Sequence, residues 1–460
     1  MSLQNFLRSL KTVKRAHMES ICRTLISSSS PFIDTPPSIL SALNSTILDH
    51  LLSDRQFSAS KCLDFFNFLL ENPSVIPFEP DLQAHLTLIG RLLMQRKFSD
   101  AEKLLKSVSV DEILRYPFPA IASKVPSCCF ESKVVAKFFN LVLKVYSDNG
   151  KFNEVLEDFN YMKSNGIKID ERTCTLHLLA LNKNDQVELG LAFFNQMLES
   201  GIQISVYSLT VMVDGLCKNG EIKRGRELVE EMIGKGTKPN ITTYNTMIDA
   251  CAKRWSFGEL DLILNLMEKE NEAFNLDTYK ILVDGFTSCG KIKEAEKLVL
   301  EMHDKGLRVD AHLYNLMIIG YGKMGSVELA FSLFNQMTAA GVNANTDTHW
   351  GLINGLCKGG DVELALRYTN KLQRKRVQLD QVIVNTLING LCERGMVYEA
   401  FAWQVEMEMK GFEVDLSAYS KIACRLCDSN HIEEAKMLLN KMVKRGVNPN
   451  AARFIKLIDL

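Results

Sequence analysis

The sequence repeats itself every 35 residues over most of its length, and this period restricts the possible fold more than any other feature. When the chain is written in rows of 35 from Ala136, nine rows follow without a gap and end at Asn450. Column 27 of these rows is Met in eight, column 31 is Gly in seven and column 15 is Gly in six. A sustained period of roughly 20 to 50 residues is typical of repeat proteins, in which each unit stacks on its neighbours.

Each row predicts two helices. In the row 311–345, Tyr314, Met317, Ile318 and Tyr321 have the i, i+3, i+4, i+7 spacing of one apolar helix face, and a second such face follows over 327–337. The glycines of columns 15 and 31 suit the left-handed residue that ends a helix. Because one helix pair cannot cover its own apolar face, we predict an all-α fold, a right-handed α-solenoid superhelix of 35-residue helix-turn-helix repeats.

The rows also predict the domain organisation. We expect a transit peptide or disordered segment over 1–35 and degenerate repeats with an insertion over 36–135. Nine tandem repeats then occupy 136–450, and 451–460 begin the first helix of a partial repeat. The insertion is expected around Val108–Lys133.

Residues 1–30 contain five basic residues and one acid, Glu19, with apolar residues at helical spacing and a run of serines from Ser27 to Ser30. This composition is typical of an organellar transit peptide; a frayed basic N-terminus is the alternative. The arginine content and helical spacing favour the mitochondrion, with the plastid as the alternative. No apolar run of about 18 residues occurs, so no membrane insertion is expected.

Two stretches, Ile241–Asp249 and Val213–Glu221, resemble the consensus of the pentatricopeptide repeat family. The constant row length resembles the P-type subclass, which contains 35-residue repeats only and includes plant organellar RNA-binding proteins. The resemblance implies binding of single-stranded mitochondrial or plastid RNA at about one base per repeat.

In that family, the residues of columns 5 and 35 read the base. Carried over row by row, the resemblance implies the RNA-binding pairs Asn140 with Asp170, Thr175 with Ser205, Thr210 with Asn240, Asn245 with Asn275, Lys280 with Asp310, Asn315 with Asn345, Trp350 with Asp380, Asn385 with Asp415, and Ser420 with Asn450. The family's preferences then imply the string U, undefined, A, pyrimidine, undefined, pyrimidine, undefined, U, A, with the 5′ end at the N-terminus.

A structural interpretation competes with base reading at column 35, because its Asp, Asn and Ser residues are also preferred helix N-caps. Column 5 favours base reading, since seven of its nine residues are Asn, Thr or Ser, which are mediocre formers of helix interiors. Lys280 and Trp350 depart from this pattern. Trp350 fits either stacking on a base or a repeat that reads no base.

Column 13 predicts phosphate contacts through Lys218, Lys253, Lys323 and Lys358. Their alternative role is to complement the helix dipole at an exposed helix end. The net charge of −1 means that RNA binding must depend on such local placement.

No motif for catalysis, a metal or a cofactor is found. The cysteines of column 12, Cys217, Cys357, Cys392 and Cys427, are expected in the repeat core, and Cys424 with Cys427 form a lone C-x-x-C without a second pair. We therefore predict a non-enzymatic RNA-binding adaptor in organellar RNA processing, such as intron splicing, stabilisation, end processing or translation, with possible protein partners in the splicing or ribosome machinery. The alternative is a protein-interaction scaffold, for example a ribosome-associated solenoid.

Overall fold

The computed structural model describes residues 43–54, 57–73, 78–111, 116–128, 130–412, 416–428 and 431–444. All regular secondary structure within these ranges is helical. The expected transit peptide at 1–35 and the expected partial helix at 451–460 lie outside the described residues.

The chain divides into two compact units, Met1–Pro239 and Asn240–Leu460. The helices of the first unit are α1 Ser45–Ser53, α2 Ala59–Glu71, α3 Leu82–Met94, α4 Phe98–Ser109, α5 Phe118–Lys124, α6 Ser132–Asp148, α7 Phe152–Ser164, α8 Glu171–Lys183, α9 Val187–Glu199, α10 Val206–Lys218 and α11 Ile222–Gly234. A 3₁₀ turn, Val125–Cys128, follows α5 in the segment where the insertion was expected.

The helices of the second unit are α12 Ile241–Arg254, α13 Phe257–Lys269, α14 Leu276–Ser288, α15 Ile292–Asp304, α16 Ala311–Lys323, α17 Val327–Ala339, α18 Thr346–Gly359, α19 Val362–Arg374, α20 Gln381–Glu393, α21 Val397–Met409, α22 Leu416–Asp428 and α23 Ile432–Lys444. From α6 onward, every row therefore contributes one helix pair.

The turns of the helix pairs have the backbone conformation that the glycine columns predict. Every described glycine of columns 15 and 31 has a positive φ. The described positions that lack the glycine keep the conformation: for example, Trp255 in column 15 has φ 55° and Arg376 in column 31 has φ 57°. The turn is thus a requirement of the repeat, and glycine is the residue that meets it without strain.

Within each unit, the first helix of a row packs against the first helix of the next row. In the first unit α6 packs on α8 and α8 on α10, and the second unit continues this pattern from α12 to α22. The second helices lie outside this layer, each packed on its own first helix and, in most rows, on the next. Within each unit the first helices therefore form a continuous layer, which we call the first-helix layer.

Glycine in column 10 allows the close approach of these helices. A Cβ atom added to Gly355 would lie 2.9 Å from the Cα of Gly322 in the preceding row. A Cβ atom added to Gly390 would lie 2.5 Å from the Sγ of Cys357. Gly285 meets Ala252 in the same way. Column 10 of one row thus packs on column 12 of the row before.

The core lies between the two helix layers. The column 27 methionines from Met162 to Met407 are almost fully buried, and Leu372 replaces Met with 5% exposure. Tyr279 and Tyr314, in the first helices, are buried in the same core as Met302. Burial of a large apolar side chain stabilises the fold by about 1.5 to 3 kcal/mol, so each repeat is held chiefly by this shared core.

The structure confirms the predicted all-α solenoid of helix-turn-helix repeats within each unit. The handedness of a superhelix stays a prediction. Among the described residues, no helix combines the length and hydropathy that a membrane span requires.

Candidate nucleic-acid interface

Column 35 begins the first helix of the next row. Ser205, Asn240, Asn275, Asp310 and Asn345 each accept a hydrogen bond from the backbone N–H three residues on. Asp380 does the same for the N–H of Ile383, at 2.8 Å. The capping role that competed with base reading is therefore real.

Two rows of the second unit show how capping and reading can coexist. Asn245 Nδ2 donates to the capping oxygen of Asn275 at 3.3 Å, and Asn315 Nδ2 donates to that of Asn345 at 2.9 Å. In both rows a threonine of column 3, Thr278 or Thr348, donates to the column 5 amide oxygen, at 2.8 Å and 2.5 Å. Columns 5 and 35 are thus brought into direct contact across successive first helices.

These pairs leave polar atoms free for a ligand. The Oδ1 of Asn275 accepts from the backbone N–H of Thr278, and its Nδ2 has no partner among the described residues. The Nδ2 of Asn345 donates to Asp347 Oδ2 at 3.5 Å, so one of its two N–H groups is left for a ligand. An amide that caps with oxygen offers N–H donors outward, whereas a carboxylate that caps with one oxygen offers a second acceptor. A capping Asn therefore suits a base edge with acceptors, and a capping Asp suits one with an N–H donor.

The pair Thr175 and Ser205 is occupied by the chain itself. Glu171 Oε1 accepts hydrogen bonds from Ser205 Oγ at 2.6 Å and Thr175 Oγ1 at 3.3 Å, and also from Ser208 Oγ. Burial opposes ionisation of Glu171, but these hydrogen bonds outweigh it and hold the pKa of its carboxyl below the ordinary value. Thr175 is only 3% exposed, so its hydroxyl is not available as the prediction required.

In two further pairs, side chains that were predicted to read a base are instead engaged in contacts within the protein. Lys280 Nζ lies 2.7 Å from Asp310 Oδ2, while the other oxygen of Asp310 caps α16. Burial of the Asp310 carboxyl is outweighed by Lys280 and the cap, so its pKa is lowered. Trp350 Nε1 donates to Thr386 Oγ1 of the next row at 3.0 Å, and its ring packs against the core. Trp350 is therefore held against the next first helix.

The first row is intermediate between these cases. Asn140 Oδ1 accepts from the Asp170 N–H at 2.8 Å, and Asn140 Nδ2 donates to the carbonyl oxygens of Ala136 and Lys168. Asn140 thus holds the turn before α8. The exposed Asp170 accepts from Thr173 Oγ1 through its Oδ2, at 3.2 Å, and its Oδ1 is the atom left for a ligand.

The remaining predicted residues are placed as follows. In the first unit, Thr210 Oγ1 donates a hydrogen bond to the carbonyl oxygen of Val206. In the second unit, Asn240 Oδ1 caps the start of α12. Asn385 accepts from Gln381 at 3.2 Å. Ser420 lies half-buried in α22, whereas Asp415 and Asn450 lie outside the described residues.

The column 13 lysines differ in their ion pairs. Lys218 Nζ lies 2.7 Å from Asp214, and Lys253 Nζ lies 2.6 Å from Asp249, one turn earlier in the same helix. Lys323 and Lys358 are exposed and have no ion pair with any described residue. Their positions one turn earlier hold Ile319 and Asn354.

The sequence prediction missed Lys183, which shares column 13. It ends α8, is exposed and has no ion pair in the described part of the chain. The sequence indicates that Lys183 is unpaired, because the position one turn earlier holds Leu179, whereas Lys218 and Lys253 have an aspartate there.

The cysteines of column 12 behave as core residues. Cys217 and Cys392 are 2% exposed and Cys357 is 9% exposed, while Cys427 is half-buried. Burial raises the pKa of the Cys392 thiol to about 11. Within the described ranges, no three His, Cys, Asp or Glu residues cluster as metal ligands would.

Family models of the pentatricopeptide repeat (PPR) match more than half of the chain. Their matched segments are 138–167, 210–253, 242–272, 277–307, 309–358, 351–377, 375–408 and 417–447. A pentatricopeptide repeat-containing protein of Arabidopsis thaliana is 37% identical over 162 residues. That match covers 35% of this chain and 26% of the relative, so the aligned part is about a quarter of the relative's length.

Among solved structures, the chain is similar to the pentatricopeptide repeat protein PPR10 from maize in complex with an 18-nt psaJ RNA element. The TM-score is 0.53 at 19% sequence identity, and the match covers 96% of this chain and 61% of PPR10. This likeness concerns the fold alone. The family models, which match more than half of the chain, show that the chain belongs to the pentatricopeptide repeat family.

Proposed function

We propose that the protein binds single-stranded RNA along the first-helix layer and selects bases through columns 5 and 35. The observation that carries the proposal is that the oxygen and the nitrogen of the Asn275 and Asn345 side-chain amides have different roles. The amide oxygen of each residue fixes the helix start. The Nδ2 of Asn275 has no partner among the described residues, and the Nδ2 of Asn345 makes one long hydrogen bond to Asp347 Oδ2, at 3.5 Å, which leaves its second N–H to meet a base. The occurrence of RNA in the PPR10 complex supports the proposal.

The arrangement selects bases by hydrogen-bond polarity. A pyrimidine carries acceptor oxygens that suit the N–H donors of Asn275 and Asn345, and uracil also has an N–H donor that suits a capping carboxylate. This chemistry agrees with the expected pyrimidines in the rows of Asn245 and Asn315. The rows closed by Glu171, Lys280 and Trp350 are the three for which the string leaves the base undefined. We infer that these three rows span a nucleotide without reading it.

We infer an organellar setting, in the mitochondrion rather than the plastid, from the composition of residues 1–30. There the protein acts as a non-enzymatic adaptor in RNA processing. It covers a short single-stranded segment and so influences splicing, end stabilisation or translation. Sequencing of RNA that co-purifies with the protein from isolated organelles identifies the transcript.

A protein-interaction scaffold is the second candidate, and one observation favours it. Asp214 and Asp249 neutralise two of the four predicted phosphate-binding lysines, and the chain as a whole has no basic excess. A scaffold would retain little RNA, and its RNA binding would not depend on base identity.

The substitution Asn345→Asp tests the proposal without removing the cap. It replaces the outward N–H donor by an acceptor, so the preference at one nucleotide should shift toward uracil by about 5- to 10-fold over cytosine. Selection of bound sequences from a random RNA pool, followed by affinity measurements on single-base variants, gives the shift.

Asn335→Asp is the matched control, because it makes the same chemical change on the exposed face of α17. It should leave every base preference unchanged. If Asn345→Asp weakens all RNA sequences equally, or if the wild-type protein retains no RNA, the proposed function is wrong.

A further inference from the structure

A groove of about 460 Å³ opens in the first unit where α4 meets α6. It is lined by Phe98 and Glu102 of α4, by Lys137, Asn140 and Lys144 of α6, and by the turn that contains Lys168 and Asp170. This volume lies within the range of pockets that hold small ligands. The groove contains the first of the predicted base-reading pairs, together with a residue of the degenerate repeat before it.

The aromatic wall of the groove is Phe98. Its side chain is 45% exposed although it is a large apolar residue, and the Nζ of Lys137 lies 5.9 Å from its ring centroid. Phe152 has the same position one row later, but it packs against His177 with ring centroids 5.7 Å apart. Phe98 therefore presents a ring to the groove where its counterpart is used for packing.

The charge of the groove is locally positive. Lys144 is neutralised by Glu102 at 2.6 Å, with Asp148 at 3.7 Å. Lys137 and Lys168 are exposed and have no carboxylate partner among the described residues. An exposed aromatic ring flanked by unpaired lysines is the combination that binds single-stranded nucleic acid, because the base stacks and the phosphate is neutralised.

We propose that this groove holds the nucleotide assigned to the first row, with its base stacked on Phe98 and its phosphates close to Lys137 and Lys168. The base edge then faces Asp170, whose Oδ2 accepts from Thr173 Oγ1 at 3.2 Å and whose Oδ1 has no partner among the described residues. The stacking surface of this row comes from α4, outside the nine regular rows. The inference rests on the proposed RNA binding and adds a nucleotide subsite with its own residues.

The test combines Phe98→Ala with an abasic scan. The full chain is titrated into the labelled RNA recovered by selection, and into versions with one abasic nucleotide at each position. An abasic nucleotide opposite the first row should weaken wild-type binding about 10-fold, and Phe98→Ala should weaken binding of intact RNA by a similar factor. The two losses should not multiply, because both remove the same stacking contact.

Two further variants separate stacking from folding. Phe98→Leu keeps an apolar side chain and should lose several-fold in affinity, whereas Phe98→Trp should bind as tightly as the wild type. Unchanged thermal unfolding shows that each variant is folded. Loss of affinity that multiplies with the abasic change at every position, or no loss in Phe98→Ala, would overturn the subsite.

The outcomes for the subsite and for the proposed function are distinct. If wild-type protein binds no RNA, the proposed function fails. If it binds RNA with base selection in the later rows but Phe98→Ala has no effect, only the subsite fails. Lys137→Ala with Lys168→Ala should also reduce the salt dependence of binding, whereas Lys163→Ala, on the exposed face of α7, should leave it unchanged.

Discussion

Asp158 is fully buried in α7, and neither of its carboxyl oxygens has a hydrogen-bond partner among the described residues. Column 23 is apolar or aromatic in every other row, at Phe193, Leu228, Ile263, Leu298, Leu333, Tyr368, Trp403 and Leu438. Burial without a partner disfavours the charged form, so the pKa of Asp158 is raised well above its ordinary value. The core of the folded protein therefore favours the neutral form of this carboxyl.

This carboxyl makes stability depend on pH with a defined sign. In the unfolded chain the Asp158 carboxyl loses its proton at about pH 4, whereas in the folded chain it retains the proton to higher pH. The folded state thus binds more protons between these two pKa values, and its stability falls as pH rises through that window. Asp158→Leu should raise the free energy of unfolding by about 1 to 3 kcal/mol at neutral pH, and by less near about pH 4.

Urea unfolding at both pH values measures this difference. Burial lowers the pKa of His177 to about 4, but His177 is common to both proteins and its effect on the difference cancels. Asp158→Asn is the control, since it keeps a buried polar group that cannot ionise. A difference between the leucine variant and the wild type that is constant with pH would contradict the neutral-acid interpretation.

At the residue scale, the sequence contained some of these features and not others. The acid at 158 was visible as an exception in an apolar column. The closure of Thr175 and Ser205 by Glu171 was not, because it depends on three side chains from two helices meeting one oxygen. The ion pair of Lys280 with Asp310 likewise needed the distance across 30 residues of chain.

At the scale of helices, the close contact between α16 and α18 allows the packing role of the column 10 glycine to be tested. Gly322 and Gly355 face each other, and a Cβ atom at Gly355 would lie 2.9 Å from backbone, where no flexible side chain can move aside. Alanine is a better helix former than glycine by about 1 kcal/mol. Overpacking costs about 1 to 3 kcal/mol, so the contact should outweigh the helix preference.

Gly355→Ala is therefore expected to lower the urea midpoint of unfolding. Gly258→Ala, in α13 of the same unit, is the matched control because a Cβ atom there meets nothing within 4 Å. It should be neutral or stabilise by up to about 1 kcal/mol. Equal effects of the two substitutions would show that the glycine of column 10 is not a packing requirement.

Helix pairs, turns and core columns could be predicted from the sequence because they repeat in register. The methionines of column 27 and the glycines of column 15 carry that signal directly. Column 10 carried a comparable signal, with glycine at 215, 285, 320, 355 and 390, but its meaning depends on the distance between successive helices. The division between Pro239 and Asn240 had no such signal, since the rows cross it without a gap.

At the scale of the whole molecule, charge is nearly balanced, with 54 basic and 55 acidic residues. The RNA affinity that we propose must then come from a few cations that are not already neutralised. Lys323 with Lys358 and Lys218 with Lys253 make a matched comparison, because each pair occupies column 13 in adjacent rows. Lys323 and Lys358 form no salt bridge with any described residue, whereas Lys218 and Lys253 each form one with an aspartate.

Lys323→Ala with Lys358→Ala should therefore reduce the slope of log affinity against log salt by about 1.4, the value for two phosphate contacts on a single strand. Lys218→Ala with Lys253→Ala removes the same charge and should reduce the slope by less. Titrations at several salt concentrations compare the two double variants. Equal slopes would mean that the aspartates do not control phosphate contact.

If column 35 reads bases as proposed, its capping role also limits how such a protein can acquire a new target. Exchange among Asn, Asp and Ser changes the outward chemistry while the helix start is kept, whereas most other residues cost about 1 kcal/mol of stability per repeat. A designer who wishes to change the RNA target is therefore limited at column 35 to a few residue types that still cap the helix. Drift toward a new transcript can proceed one nucleotide at a time without unfolding the array.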